Sequence, residues 1–255
     1  MATVLLLRHG RTAANTDGSL AGRSAVGLDD HGLIQAKAVG ERLAGLPLAA
    51  VVSSPLARCL QTLAVAMPPV QPVIEPGLIE CGYGDWEGQT LKTLAKDPLW
   101  RVVQQHPSAV TFPRGEAMAA MSARAVAAVR AYDERVQREH GDGALWLACS
   151  HGDVIKAIVA DALGVHLDLF QRIVVDPASV TVIRYTSGRP FVVRLNDTGA
   201  ALGSLVPPTR GRRGRPRRAA TSASDAEVGG GAGPIDAGPI EQAAPSGRAH
   251  RPQDR

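Results

Sequence analysis

Two His-Gly pairs, each following a short apolar run, are the residues of this chain best placed to do chemistry. Arg8-His9-Gly10-Arg11-Thr12 comes directly after Val4-Leu5-Leu6-Leu7, with Asn15 just beyond, and Ser150-His151-Gly152 comes after Ala144-Leu145-Trp146-Leu147-Ala148-Cys149. A guanidinium grips an anion through two parallel donors, an imidazole can attack it, and a glycine lets it approach the backbone. Two further groups lie between these pairs: Arg58, close behind Ser53-Ser54-Pro55, and Glu80, ahead of Gly84-Asp85-Trp86-Glu87-Gly88.

Apolar runs without polar alternation read as strands buried on both faces. In open α/β sheets ligands bind outside the carboxyl ends of the strands, so both imidazoles are expected at one crevice. Ala49-Ala50-Val51-Val52 reads as another such strand, after which a Ser cap and a first-turn Pro open a helix that carries Arg58 toward the same place. Behind Asp29-Asp30, the residues Leu33, Ile34, Ala36, Val39 and Leu43 recur at helical spacing until Gly45 and Pro47. Val73-Ile74 makes a brief strand, and the glycines between Gly77 and Gly88 make the stretch around Glu80 a loop. Residues 89 to 113 read as one or two short helices broken by Pro98 and Pro107, a flap over the site. Residues 116 to 139 form a long amphipathic helix. A helix from Asp153 to Leu163 closes at Gly164, and residues 180 to 185 and 191 to 195 pair as a hairpin at a sheet edge. This alternation predicts an α/β fold: a largely parallel sheet between helix layers, with the hairpin added.

The chain carries 28 Lys+Arg against 24 Asp+Glu, and the imbalance is local. Nine arginines and five acidic residues lie from Ser204 onward, so residues 1 to 203 are electrically neutral. The tail is built of Pro, Gly, Ala, Ser and Arg and cannot bury enough apolar surface to offset its ordering entropy. The expected organisation is therefore one folded domain over 1 to 203 and a disordered tail over 204 to 255. Within the tail, residues 210 to 218 contain Arg-Gly-Arg-Pro and resemble an AT-hook, which lays arginines in the minor groove of A·T-rich DNA. A DNA-binding protein is thus the competing functional class, and a solubilising tail is the plainer reading of the same residues. Three widely spaced cysteines, Cys59, Cys81 and Cys149, suggest neither a disulfide framework nor a zinc site. With no apolar run near the ~18 residues of a membrane span, a cytoplasmic protein without a membrane partner is expected.

Taken in order, Arg8-His9-Gly10, Asn15, the Ser53-Ser54-Pro55 start with Arg58, Glu80 ahead of its glycine-rich loop, and Ser150-His151-Gly152 resemble the histidine phosphatase superfamily, the phosphoglycerate-mutase-like proteins. The resemblance covers residues 3 to 195. The segments Asp97-Pro98-Leu99-Trp100-Arg101 and Phe112-Pro113 through Glu116 are similar to an actinobacterial phosphomutase and phosphatase subgroup. The resemblance implies a three-layer α/β/α sandwich and a phosphohistidine intermediate on His9. It implies that Arg8, Arg58 and His151 hold the phosphoryl oxygens with Asn15 and Gly152 assisting, and that Glu80 gives a proton to the leaving oxygen. It implies no metal and no cofactor, since fixed cations can do the work of stabilising the transferring group.

The partner is expected to be a small phosphorylated metabolite, and in a homo-oligomer also a second copy of the chain. Arg11 stands where the family usually has Glu or Gln, and Arg23 follows Gly22 in the loop that should border the pocket. Both are candidates for a second anionic group on the substrate, beside the reading as surface arginines. Only 24 residues separate Gly88 from Pro113, without an adjacent basic pair, which favours hydrolysis. A phosphomutase of the phosphoglycerate mutase type is the alternative, with Arg114 able to reach a substrate anion. A silent relative that only binds a phosphorylated metabolite would have been free to lose part of this set.

Overall fold

The computed structural model describes residues 1–200; the expected disorder beyond residue 203 and the stretch 210 to 218 lie outside the described residues. The strands are β1 (Thr3–Arg8), β2 (Leu48–Ser53), β3 (Val73–Ile74), β4 (Leu145–Ser150), β5 (Val180–Arg184) and β6 (Phe191–Asp197). They form one sheet in the order β3-β2-β4-β1-β5-β6. β1 is parallel to β4, β4 to β2, and β2 to β3, while β5 and β6 run as the antiparallel hairpin beside β1. The helices are α1 (Ala13–Thr16), α2 (Asp30–Leu43), α3 (Ala57–Ala66), α4 (Leu91–Leu94), α5 (Pro98–Gln105), α6 (Met118–His140) and α7 (Gly152–Leu163).

β1 organises the core because its side chains divide between two helix layers with the strand period of two. Val4 and Leu6 pack with Met121, Ala125 and Val129 of α6 and with Ile155 and Ile158 of α7. Leu5 and Leu7 pack with Val39 and Leu43 of α2 and with Cys59 and Leu63 of α3. Burying each such side chain contributes roughly 1.5–3 kcal/mol, and β1 is buried from Val4 to Arg8. Its carboxyl end, with Arg8 and His9, is thereby fixed. Among the described residues no helix is long and apolar enough to cross a membrane.

Two local expectations are corrected. Leu33 and Ile34 of α2 are exposed, because the face turned to the sheet runs through Gly32, Ala36, Val39 and Leu43. α3 starts at Ala57 with Leu56 as its N-cap and no side-chain cap bond, so Ser53 and Ser54 do not cap it. Residues 89 to 113 do hold two short helices, α4 ending ahead of Pro98 and α5 ending ahead of Pro107, and the Asp97 carboxylate that caps α5 accepts from the Leu99 N–H at 2.8 Å. The segment expected as a flap is anchored: Leu94, Val103, Val110 and Phe112 are buried in the same cluster as Trp86 and Met118.

Candidate active site

The carboxyl ends of β1, β2 and β4 bring Arg8, His9, Arg58 and His151 together in the interior. His9 Nδ1 lies 2.7 Å from the Gly10 carbonyl, which can only accept, so Nδ1 carries the ring proton and Nε2 keeps its lone pair. Arg58 Nε donates to that Nε2 at 3.3 Å. The His151 ring stands 5.2 Å from the His9 ring, tilted by 58°. Each residue is held from behind. Arg8 Nη1 donates to the Val175 carbonyl at 2.7 Å. Arg58 Nη2 and Nη1 donate to the Gly22 and Ser24 carbonyls at 2.7 and 3.3 Å. His151 Nε2 meets the Ser54 hydroxyl at 2.7 Å.

The loop after β1 is shaped by two backbone approaches. A Cβ on Gly10 would lie 2.6 Å from the Gly32 carbonyl oxygen, and one on Gly32 would lie 2.1 Å from that of Arg11. The Gly10 N–H donates to Thr62 Oγ1 at 3.0 Å, and that hydroxyl donates to the Arg58 carbonyl at 2.7 Å. One buried threonine thus ties the His9 loop to the helix that carries Arg58. His151 is the N-cap of α7 and Gly152 its first residue.

Burial keeps both imidazoles neutral. His9 is held well below the usual histidine range by desolvation, then by the charges of Arg58 and Arg8. His151 is held well below it by desolvation, Arg58, His9 and Arg8. Glu80 moves the other way, to about 7, because burial and the neighbouring Asp153 carboxylate outweigh Arg58 and Arg8. Asp153 accepts from the Tyr83 hydroxyl at 2.8 Å and pairs with Lys156 in the next turn of α7. The Glu80 carboxyl accepts from the Cys81 N–H at 2.9 Å. The site therefore holds two neutral imidazoles, two buried guanidiniums and a carboxyl group that is largely protonated below neutrality.

The other expected residues are placed nearby but engaged. Asn15 Oδ1 accepts from the Thr12 N–H and hydroxyl at 3.0 and 2.9 Å, closing a capping box on α1. Arg11 Nε donates to Asp29 at 2.8 Å, and Arg23 pairs with Glu116 at 2.9 Å while its Nε donates to the Glu80 carbonyl at 3.2 Å. Arg114 is exposed and paired with Asp85. Sequence reasoning missed Ser54, Thr62, Asp153, Glu116 and Arg124. Thr62 could have been found one turn beyond Arg58, and Arg124 one turn beyond the buried Met121.

A parallel-centred α/β/α sandwich thus carries neutral imidazoles and guanidiniums at its strand ends, a set suited to gripping an anion. The sequence profile described as histidine phosphatase superfamily (branch 1) matches residues 4–198, and the chain belongs to that family. It is 32% identical over 201 residues to the bifunctional protein Rv2228c of Mycobacterium tuberculosis, covering 77% of this chain and 54% of that one. The chain thus spans about half the length of the first curated relatives it matches. It is 30% identical over 202 residues to phosphoserine phosphatase 1 of Hydrogenobacter thermophilus, covering 78% of this chain and 93% of that one. Among solved structures, YhfR of Bacillus stearothermophilus superposes with a TM-score of 0.69 at 29% identity, over 77% of this chain and 98% of that one.

Proposed function

We propose that the protein is a phosphomonoester hydrolase that forms a phosphohistidine on His9 and acts on a small phosphorylated metabolite. The observation that carries this reading is the His9 ring itself, with its proton committed to the Gly10 carbonyl and its Nε2 lone pair turned toward the buried Arg58. In the first step Nε2 bonds to phosphorus as the bond to the ester oxygen breaks, and Glu80 gives its proton to that oxygen. In the second, water attacks phosphorus, its proton passes to the Glu80 carboxylate, the P–N bond breaks and inorganic phosphate leaves. Arg8, Arg58 and His151 hold the phosphoryl oxygens, with Asn15 and the Gly152 N–H beside them. Fixed groups of this kind supply the charge stabilisation that phosphoryl transfer needs without a metal ion.

Arg11 and Arg23 are occupied by Asp29 and Glu116, so a second anionic group on the substrate must compete with a carboxylate to reach either. The phosphatases among the relatives support hydrolysis over transfer to a second hydroxyl group. The test is a panel of phosphomonoesters turned over by the full chain with and without a chelator, with labelled phosphate followed on the protein. Label that is stable to base, labile to acid and absent from His9→Ala, with free phosphate as product and no chelator effect, is expected. Phosphoryl transfer in preference to hydrolysis would establish the mutase alternative. Turnover surviving His9→Ala would overturn the reading.

A further inference from the structure

The loop that carries Glu80 has no strand or α-helix of its own, yet one side chain pins it at several points. Arg124, in the second turn of α6, donates from Nη1 to the carbonyls of Gly77 at 2.8 Å and Ile79 at 2.7 Å. Its Nη2 donates to the Glu80 carbonyl at 3.1 Å and to Glu116 Oε2 at 2.9 Å, and its Nε donates to Glu116 Oε1 at 2.8 Å. A guanidinium has five N–H groups in one plane, and every one of them is used. Glu116 extends the clamp: its Oε2 accepts from the Gly82 N–H at 3.2 Å and from Arg23 at 2.9 Å. The Glu116 N–H donates to the Gly82 carbonyl at 2.7 Å, so the backbone on both sides of Glu80 is tied down.

The Glu80 carboxyl accepts a local hydrogen bond, from the N–H of the residue after it. Its direction follows from the backbone beneath it, and that backbone is set by Arg124. We propose that Arg124, acting with Glu116 and Arg23, is the positioning residue for the Glu80 acid, holding the loop so that the carboxyl reaches the ester oxygen of the substrate. Arg124 itself touches no reacting atom. The inference rests on the phosphohistidine reading and goes beyond it in assigning a residue from α6 to the proton-transfer step alone.

A lysine at position 124 keeps the charge but lacks the planar fork, so it cannot serve four residues at once. A loosened Glu80 should harm only those substrates whose leaving oxygen needs a proton. The experiment compares wild type, Arg124→Lys and Glu116→Gln on an alkyl phosphate and on 2,4-dinitrophenyl phosphate, whose leaving group departs as an anion. For Arg124→Lys a loss in kcat of about 100-fold is expected on the alkyl ester, the scale of an acid misplaced by about 1 Å, and a far smaller one on the dinitrophenyl ester. Glu116→Gln should show the same selectivity to a lesser degree, which keeps the test decisive if Arg124→Lys does not fold. Adding Arg124→Lys to Glu80→Gln should cost almost nothing more on the alkyl ester. Equal losses on the two esters, or no loss on the alkyl ester, would overturn the positioning role while leaving the chemistry of His9 standing. Turnover of both esters by His9→Ala would overturn the parent reading and this one with it.

Discussion

Arg58 Nε points at His9 Nε2 from 3.3 Å, placing a permanent positive charge beside the one ring nitrogen that keeps its lone pair. Together with burial, the guanidinium keeps the imidazole unprotonated. The same charge draws down the pKa of Glu80. One side chain therefore biases the His9 imidazole and the Glu80 carboxyl in the same direction.

The consequence is a displaced pH profile in Arg58→Gln. Removing the charge lets His9 bind a proton at higher pH, so the acidic limb of kcat/KM moves up. It also raises the Glu80 pKa further, so the alkaline limb, set near 7 in the wild type, moves up as well. The whole bell should shift to higher pH while its height falls by about 100-fold or more, the scale of losing an oxyanion donor. A pH series of kcat/KM on an alkyl phosphate checks both the shift and its direction.

Gly32 is expected to tolerate no side chain. The missing Cβ would sit 2.1 Å from the Arg11 carbonyl oxygen and 2.9 Å from the Arg11 nitrogen, both backbone atoms that cannot swing away. Gly32→Ala must push the first turn of α2 off the loop after His9, at a cost of about 1–3 kcal/mol. Because the Gly32 carbonyl faces Gly10, the shift is passed to the loop that carries His9. Thermal melting should show the lost stability and phosphate release a lowered kcat, whereas Gly45→Ala, at a turn with open space around it, should lose stability through backbone strain alone.

Ser54→Ala tests how His151 is held. The hydroxyl lies 2.7 Å from His151 Nε2, and the next neighbour of that nitrogen is Cys59 Sγ at 3.6 Å. Without the serine a fully buried ring nitrogen loses its hydrogen bond, which costs about 1–3 kcal/mol. The ring then tilts away from His9, and kcat/KM should fall by about 10-fold. Ring-proton resonances in wild type and variant would report the freed imidazole directly.

What the sequence disclosed was what short-range pattern controls. The apolar runs before His9 and His151 announced strands, and strands announced where the imidazoles would point. Ser54 was misjudged because a serine ahead of a helix looks like a cap, while its true partner, His151, is 97 residues away in the chain. Leu33 and Ile34 were counted into the face of α2 because apolar type alone does not fix a helix's rotation. That rotation is set by Gly32 meeting the Arg11 backbone. Arg124 was invisible for a related reason: a charge in an alanine-rich helix reads as solvated until the carbonyls of residues 77 to 80 are seen beneath it.

The site should also leave a signature in the stability of the protein. His9 and His151 have folded pKa values well below 6.5, so under acid conditions the unfolded chain binds two protons that the folded one refuses. Each imidazole then removes up to about 1.4 kcal/mol per pH unit as pH falls below 6.5. Glu80 acts in the opposite sense: its folded pKa of about 7 lies above its ordinary 4.5, so between those values the folded state binds the extra proton and gains stability on acidification. From pH 6.5 down to 5 the carboxyl therefore cancels one of the two imidazoles. Glu80→Gln removes that compensation, and its stability should fall about twice as steeply with acid as that of the wild type. His151→Asn removes one opposing imidazole and should flatten the wild-type slope over the same range. Urea unfolding at half-unit pH steps measures both slopes, and a Glu80→Gln slope no steeper than wild type would mean that Glu80 is not held protonated in the folded protein.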